Sequence, residues 1–143
     1  MDMIAGFPGE TEAHHQETLD LLSRAPWTRL HVFPYSVRRS TLAARMVEEG
    51  LGVSESKKRA RAAELRALSD IRVVAELEKR VGKLMEVLTE EKPVRIAGEL
   101  YTQGHSRSYF KVLLPGELPA NRLVRAQIQR IHGERESLVG ALV

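Results

Sequence analysis

The chain has 143 residues, 43% hydrophobic and 29% charged, with a formal net charge of +3 and no cysteine. That length suits one ordinary domain or two small ones, and the balance is that of a folded protein. The lack of cysteine excludes disulfides, thiolate metal sites and a cysteine-held iron–sulfur cluster, and no run of about 18 apolar residues is present to cross a membrane.

Charge is uneven along the chain. Residues 1–56 hold 5 Lys+Arg against 8 Asp+Glu, residues 57–81 hold 8 against 4, and residues 82–143 hold 9 against 7. The positive field lies in the middle and the last segment, which is compatible with a polyanion such as RNA.

Met1-Asp2-Met3-Ile4-Ala5 reads as a short strand running into the turn Gly6-Phe7-Pro8-Gly9. Thr11 is a good N-cap for the next helix, and Glu10 and Glu12 suit its positive end. His15, Thr18, Leu19 and Leu22 form its semi-apolar face, and Pro26 ends it. Leu30-His31-Val32-Phe33 is a second strand, finishing near Tyr35 because Pro34 limits ladder bonding. Strand, helix and strand make a βαβ unit with parallel strands. One such unit cannot cover its own sheet, so a truncated domain is expected, with exposed apolar surface or self-association through the open edge.

Ser36 to Gly52 reads as a loop with a helical piece around residues 43–49, stopped by Gly50. Residues 55–81 lack Gly and Pro and form one long helix, with Ser54 as its cap. Leu65, Leu68, Ile71 or Arg72, Ala75 and one of Leu77 or Val81 mark its buried stripe. Lys57, Lys58, Arg59 and Arg61 crowd its first turns, against the helix dipole, as either a solvated end or an anion-binding patch.

From Gly82 the period changes to two. Strands are expected at residues 83–88, 94–101, 108–114, 123–131 and 137–142, with Gly104 opening a loop. Five short antiparallel strands with interspersed glycines point to a small closed barrel, since closure removes exposed edges.

No catalytic set is complete. His14, His15, His31, His105 and His132 are scattered without metal-ligand spacing. Two runs carry more. The turn Gly6–Thr11 between a strand end and a helix start lets backbone approach a ligand at the carboxyl edge of a parallel sheet, although a tight turn with a helix cap explains the same residues. Phe33-Pro34-Tyr35-Ser36 reaches that same edge. In the last segment Lys83, Arg95, Arg107, Lys111, Arg122, Arg125 and Arg130 are candidates for phosphate contact. Tyr101, His105, Tyr109 and Phe110 are candidates for base stacking. Tyr109 and Phe110 alternate, so only one faces out, and Tyr109 is read as that one.

Gly6-Phe7-Pro8-Gly9-Glu10-Thr11, His31-Val32-Phe33-Pro34-Tyr35-Ser36, and then Arg38, Thr41 and Ala43-Ala44-Arg45-Met46 closely resemble the radical-SAM methylthiotransferases. The second run looks most like the branch acting on threonylcarbamoyladenosine at position 37 of tRNA. Gly82, Val87, Gly104, Ser106, Tyr109, Leu138 and Gly140 are similar to that family's TRAM domain. The family's Ser-Pro-Arg-Pro-Gly-Thr-Pro-Ala run reads Ser36-Val37-Arg38-Arg39-Ser40-Thr41-Leu42-Ala43 here, and His15 stands where Phe is usual.

The resemblance implies an α/β plus all-β chain. Residues 1–54 would be the incomplete C-terminal βα end of a radical-SAM barrel, residues 55–81 a connecting helix, and residues 82–143 a five-stranded, OB-like TRAM barrel. It implies cofactor contacts at Gly6, Phe7, Glu10, Phe33, Tyr35 and Ser36. It implies RNA contacts at Lys83, Arg95, Tyr101, His105, Arg107, Tyr109 and Lys111. The complete enzyme would use S-adenosylmethionine and 4Fe-4S clusters, with the cluster cysteines upstream. None is expected on this chain alone, which would be inactive without the missing N-terminal part. The implied partner is the tRNA anticodon stem-loop, and the implied location is cytoplasmic. A stand-alone RNA-binding module is the competing function. Isopentenyladenosine in tRNA or a ribosomal-protein aspartate are the competing substrates.

Overall fold

The computed structural model describes residues 1–143, apart from the side chain of Arg135. The chain divides into two compact units, Met1–Val73 and Val74–Val143.

In the first unit, β1 (Asp2–Ala5) and β2 (His31–Pro34) pair in parallel, with Ile4 opposite Phe33. Between them runs α1 (Glu12–Arg24), capped by Thr11, whose hydroxyl accepts the His14 amide at 3.2 Å. The helix stops where Pro26 cannot continue it. Strand alternation sends Ala5 and Val32 inward, onto Leu22, Trp27, Leu30, Ala62 and Leu65. The same alternation leaves Ile4 57% and Phe33 55% exposed on the other face. Thr41 caps α2 (Leu42–Met46), which passes into a π-helical turn, Val47–Leu51, where Gly50 takes φ +89°.

The long helix α3 (Glu55–Glu78) buries Ala62, Leu65, Ser69, Val73 and Leu77. It ends three residues earlier than expected. Of the expected stripe, Ile71 is 71% exposed, and Arg72 lies over the Trp27 ring at 4.9 Å.

The second unit holds six strands rather than five: β3 (Leu84–Thr89), β4 (Val94–Ile96), β5 (Glu99–Ser106), β6 (Lys111–Pro115), β7 (Leu123–His132) and β8 (Ser137–Leu142). The expected strand 94–101 is a hairpin. Ala97 and Gly98 both have positive φ, +50° and +87°, as a two-residue hairpin turn needs. Alanine at the first of these positions hides the turn from a sequence reading. The sheet is also not wholly antiparallel, because β6 and β8 pair in parallel.

Strand β3 pairs with β7 on one side and β5 on the other, so the order β3-β7-β8-β6-β5 returns to its start. Gly104 lies inside β5, not in a loop. An added Cβ there would sit 2.5 Å from the Leu88 carbonyl oxygen and 2.7 Å from Val87 Cγ1. Val87, Val112, Leu114, Ala126, Ile128 and Leu138 fill the interior, while Leu113 packs on the other face with Tyr101 and Val139. Arg80 lies over Phe110, its guanidinium 3.8 Å from the ring centroid and bonded to the Glu76 carboxylate at 2.9 Å.

Gly104→Ala should therefore destabilise the second unit by about 1–3 kcal/mol through overpacking. Gly133→Ala, with no atom within 4 Å of the new methyl group, should not. Thermal unfolding of the two variants makes the comparison, and equal melting temperatures would contradict the close approach.

Candidate functional sites

The carboxyl ends of β1 and β2 bring together the cofactor candidates of the first unit. The Tyr35 amide donates to the Ala5 carbonyl at 2.8 Å, which extends the pairing and sets Tyr35 beside the turn. Phe7 and Tyr35 meet edge to face at 5.4 Å, and Lys58 Nζ lies 5.4 Å from the Tyr35 ring centroid.

Glu10 holds the turn. One carboxylate oxygen accepts the Gly6 amide at 2.8 Å and the Phe7 amide at 3.2 Å, and the other accepts Arg61 Nη1 at 2.8 Å. Arg61 also reaches Glu12 at 3.1 Å. Gly6 (φ +75°) packs against α3, since an added Cβ would lie 2.4 Å from Lys58 Cγ. Gly6 and Glu10 are thus engaged within the chain. Phe7 (44% exposed), Phe33 and Ser36 stay open, and the buried Tyr35 hydroxyl has no hydrogen-bond partner among the described residues. A buried hydroxyl without a partner is an exception in a folded protein.

The basic start of α3 is a solvated end at two of its four residues and not at the other two. Lys58 and Arg61 are buried and paired, Lys58 with Glu55 at 2.7 Å, while Lys57 and Arg59 are exposed. The Lys58 hydrogen bond holds the Glu55 carboxyl below its ordinary 4.5. These partners offset the dipole penalty at the helix start. His15 is buried, with Nε2 2.8 Å from the Glu64 carboxylate.

The second unit collects a different set on its outer face. His105, Arg107 and Tyr109 line an open concavity of about 320 Å³ together with Glu86, Leu88, Ser106 and Leu123. Of these four, Ser106 belongs to the TRAM-like pattern, whereas Glu86, Leu88 and Leu123 were not singled out. The outward alternation of Leu84, Glu86 and Leu88 around buried Val87 is the sequence signal for Glu86 and Leu88. Arg107 Nε is 2.9 Å from Glu86. His105 Nδ1 contacts Glu90, which Gln103 also reaches at 2.9 Å. Burial pushes the Glu90 carboxyl up, but the Gln103 and His105 hydrogen bonds outweigh it and leave it below 4.5.

Tyr109 is 89% exposed and Phe110 is buried, as the alternation implied. Tyr101 departs from its expected role. It is buried against Leu113 and Val139, and its hydroxyl donates to Glu99 at 2.8 Å, so its ring cannot meet a base. That bond raises its phenol above 10.0. Lys83 and Arg95 are exposed, and Lys111 is half-buried opposite His105. Among the described residues no group of His, Asp or Glu side chains could hold a metal ion, and no helix is long and apolar enough to cross a membrane.

No family model matches the chain. It is 35% identical, across 99% of its length, to a tRNA-2-methylthio-N(6)-dimethylallyladenosine synthase of Chlorobium luteolum. It is 35% identical, across 89% of its length, to a threonylcarbamoyladenosine tRNA methylthiotransferase of Bacillus subtilis. It is 42% identical over 89 residues to the same type of protein from Thermotoga maritima. The chain spans 32%, 28% and 20% of these relatives, about a third of their length or less.

Replacing Glu10 tests the closed turn. Glu10→Ala should cost about 1–3 kcal/mol, because two amides lose their acceptor and buried Arg61 is left with Glu12 as its one carboxylate partner. Glu10→Gln, which retains an acceptor, should cost less. Trp27, the one tryptophan, is buried in this unit and reports its unfolding in urea by fluorescence. A loss under about 1 kcal/mol for Glu10→Ala would contradict the arrangement.

Proposed function

We propose, because this chain belongs to the tRNA methylthiotransferase family, that its second unit grips the anticodon stem-loop of tRNA for an enzyme that methylthiolates a modified adenosine beside the anticodon. Residues 82–143 are read as a TRAM-type barrel, with the returning strand order as its closure. Residues 1–54 are read as the last βα elements of a radical-SAM barrel, and residues 55–81 as the helix that connects it to the TRAM barrel. The observation that carries the reading is the gathering of His105, Arg107 and Tyr109 at one concavity, in a chain whose relatives are named for action on tRNA. Lys83, Arg95 and Lys111 would add phosphate contacts around it.

S-adenosylmethionine and 4Fe-4S clusters would supply the radical chemistry in the complete enzyme. Phe7, Phe33, Tyr35 and Ser36 would form one edge of the nucleoside site, with the orphaned Tyr35 hydroxyl as a donor to it. Gly6 and Glu10 would shape that edge from behind. The clusters do not fit this chain, which has no cysteine. Its own contribution is therefore binding, and a cytoplasmic location follows from tRNA as the substrate. The higher local identity to the Thermotoga maritima protein, with the His31–Ser36 run, favours threonylcarbamoyladenosine over an isopentenyl-type adenosine. The open face bearing Ile4 and Phe33 is where the rest of the enzyme, or a second copy, would pack.

The test is the salt dependence of binding between the full chain and an anticodon stem-loop RNA. Each phosphate contact contributes about 0.7–0.9 to the negative slope of log K against log salt. Arg107→Ala and Lys111→Ala should each reduce that slope by about one such contact and weaken binding to all sequences alike. A flat salt response would contradict the reading.

A further inference from the structure

We propose that the concavity beside Tyr109 is a subsite for a single unpaired nucleobase, stacked on the Tyr109 ring, with a neighbouring phosphate held between Arg107 and Arg125. This rests on the RNA-binding reading above and adds what part of an RNA the surface takes.

Three strands build the floor. Leu88 of β3 is the register partner of both His105 in β5 and Leu123 in β7, so the three side chains form one row on the outer face. Leu88 is 50% and Leu123 59% exposed, whereas the adjacent Val87 is fully buried. Two residues earlier on β3, Glu86 faces Arg125 by register and bonds to Arg107 at 2.9 Å. Arg125 is exposed and lies across from that carboxylate by register, so two cationic residues flank one acidic one. The excess positive charge favours an anion such as a phosphate diester. An apolar floor with a cationic rim complements a base joined to its phosphate.

The wall is Tyr109, at φ +62°. A left-handed backbone is costly for a bulky side chain. The turn itself needs only the Tyr109 amide, which donates to the Ser106 carbonyl at 2.9 Å. Gly would serve that turn better. With 89% of its surface exposed, the ring gains little from folding that would offset this cost. An aromatic face kept in a costly conformation beside a cationic rim is suited to a ligand with a π-face. A paired base keeps its faces in the helical stack, so the ligand is an unpaired one. His105 on the lining offers a ring nitrogen to its edge.

The experiment uses the full chain and a single-stranded hexaribonucleotide carrying one 2-aminopurine, alongside the anticodon stem-loop. The wild-type chain should quench the probe on binding. Tyr109→Gly should abolish the quench and weaken hexanucleotide binding about 5- to 150-fold, the usual range for losing one stacked base. It should leave the salt slope unchanged, since the ring carries no charge. Its melting temperature should not fall, because Gly accepts φ +62° without strain. Tyr109→Phe should retain both quench and affinity. Wild-type quench and affinity in Tyr109→Gly, with the stem-loop still bound, would overturn the subsite and leave the RNA reading standing. No binding of either RNA at any salt would overturn both. Self-association lost in Tyr109→Gly with hexanucleotide binding unchanged would assign the surface to a protein contact and overturn the proposal.

Discussion

The outer face that carries the candidate RNA site exists because β3 is paired on both sides, and Gly104 is what permits the second pairing. A side chain at position 104 would strike the Leu88 carbonyl and Val87, the residues that β5 must approach. With hydrogen there instead, Leu88 aligns with His105 and Leu123 across three strands. Without that alignment the concavity loses its floor, and Arg107 is no longer held beside Glu86. A backbone contact in the interior therefore sets the spacing of functional groups on the surface.

The first unit applies charge differently. Its strongest cation, Arg61, and its most engaged carboxylate, Glu10, are turned toward each other, and Glu10 closes the Gly6–Glu10 turn. Charge is used there for shape, which leaves aromatic and hydroxyl groups at the strand ends for any ligand. In the second unit the cations sit on the rim, in partly exposed pairs. Such pairs are weak enough in water for a phosphate to displace the carboxylate partner.

Much of this was legible from local pattern. The parallel pairing of β1 and β2 followed from a strand, a helix and a strand in sequence. The bounds of β8 were readable from Ser137 to Leu142, because a polar turn and apolar alternation coincide there. Other features depend on residues far apart in the chain. Lys58 and Arg61 looked like surface charge, since Glu10 lies 51 residues from Arg61. Tyr101 looked like a stacking residue until the neighbouring strands enclosed it. The parallel contact of β6 with β8 leaves no local trace, and Ala97 at positive φ disguises a hairpin. The Leu88 and Leu123 floor was missed because exposed leucines read as ordinary surface.

The most direct test of the central claim, that the outer face of β3, β5 and β7 receives RNA, is amide-resolved NMR of the full chain titrated with an anticodon stem-loop. The account predicts the largest chemical-shift changes at Glu86, Leu88, His105, Arg107, Tyr109 and Leu123. Amides around buried Tyr101 should change little. Changes concentrated away from the β3, β5 and β7 face, or no change at saturating RNA, would contradict it.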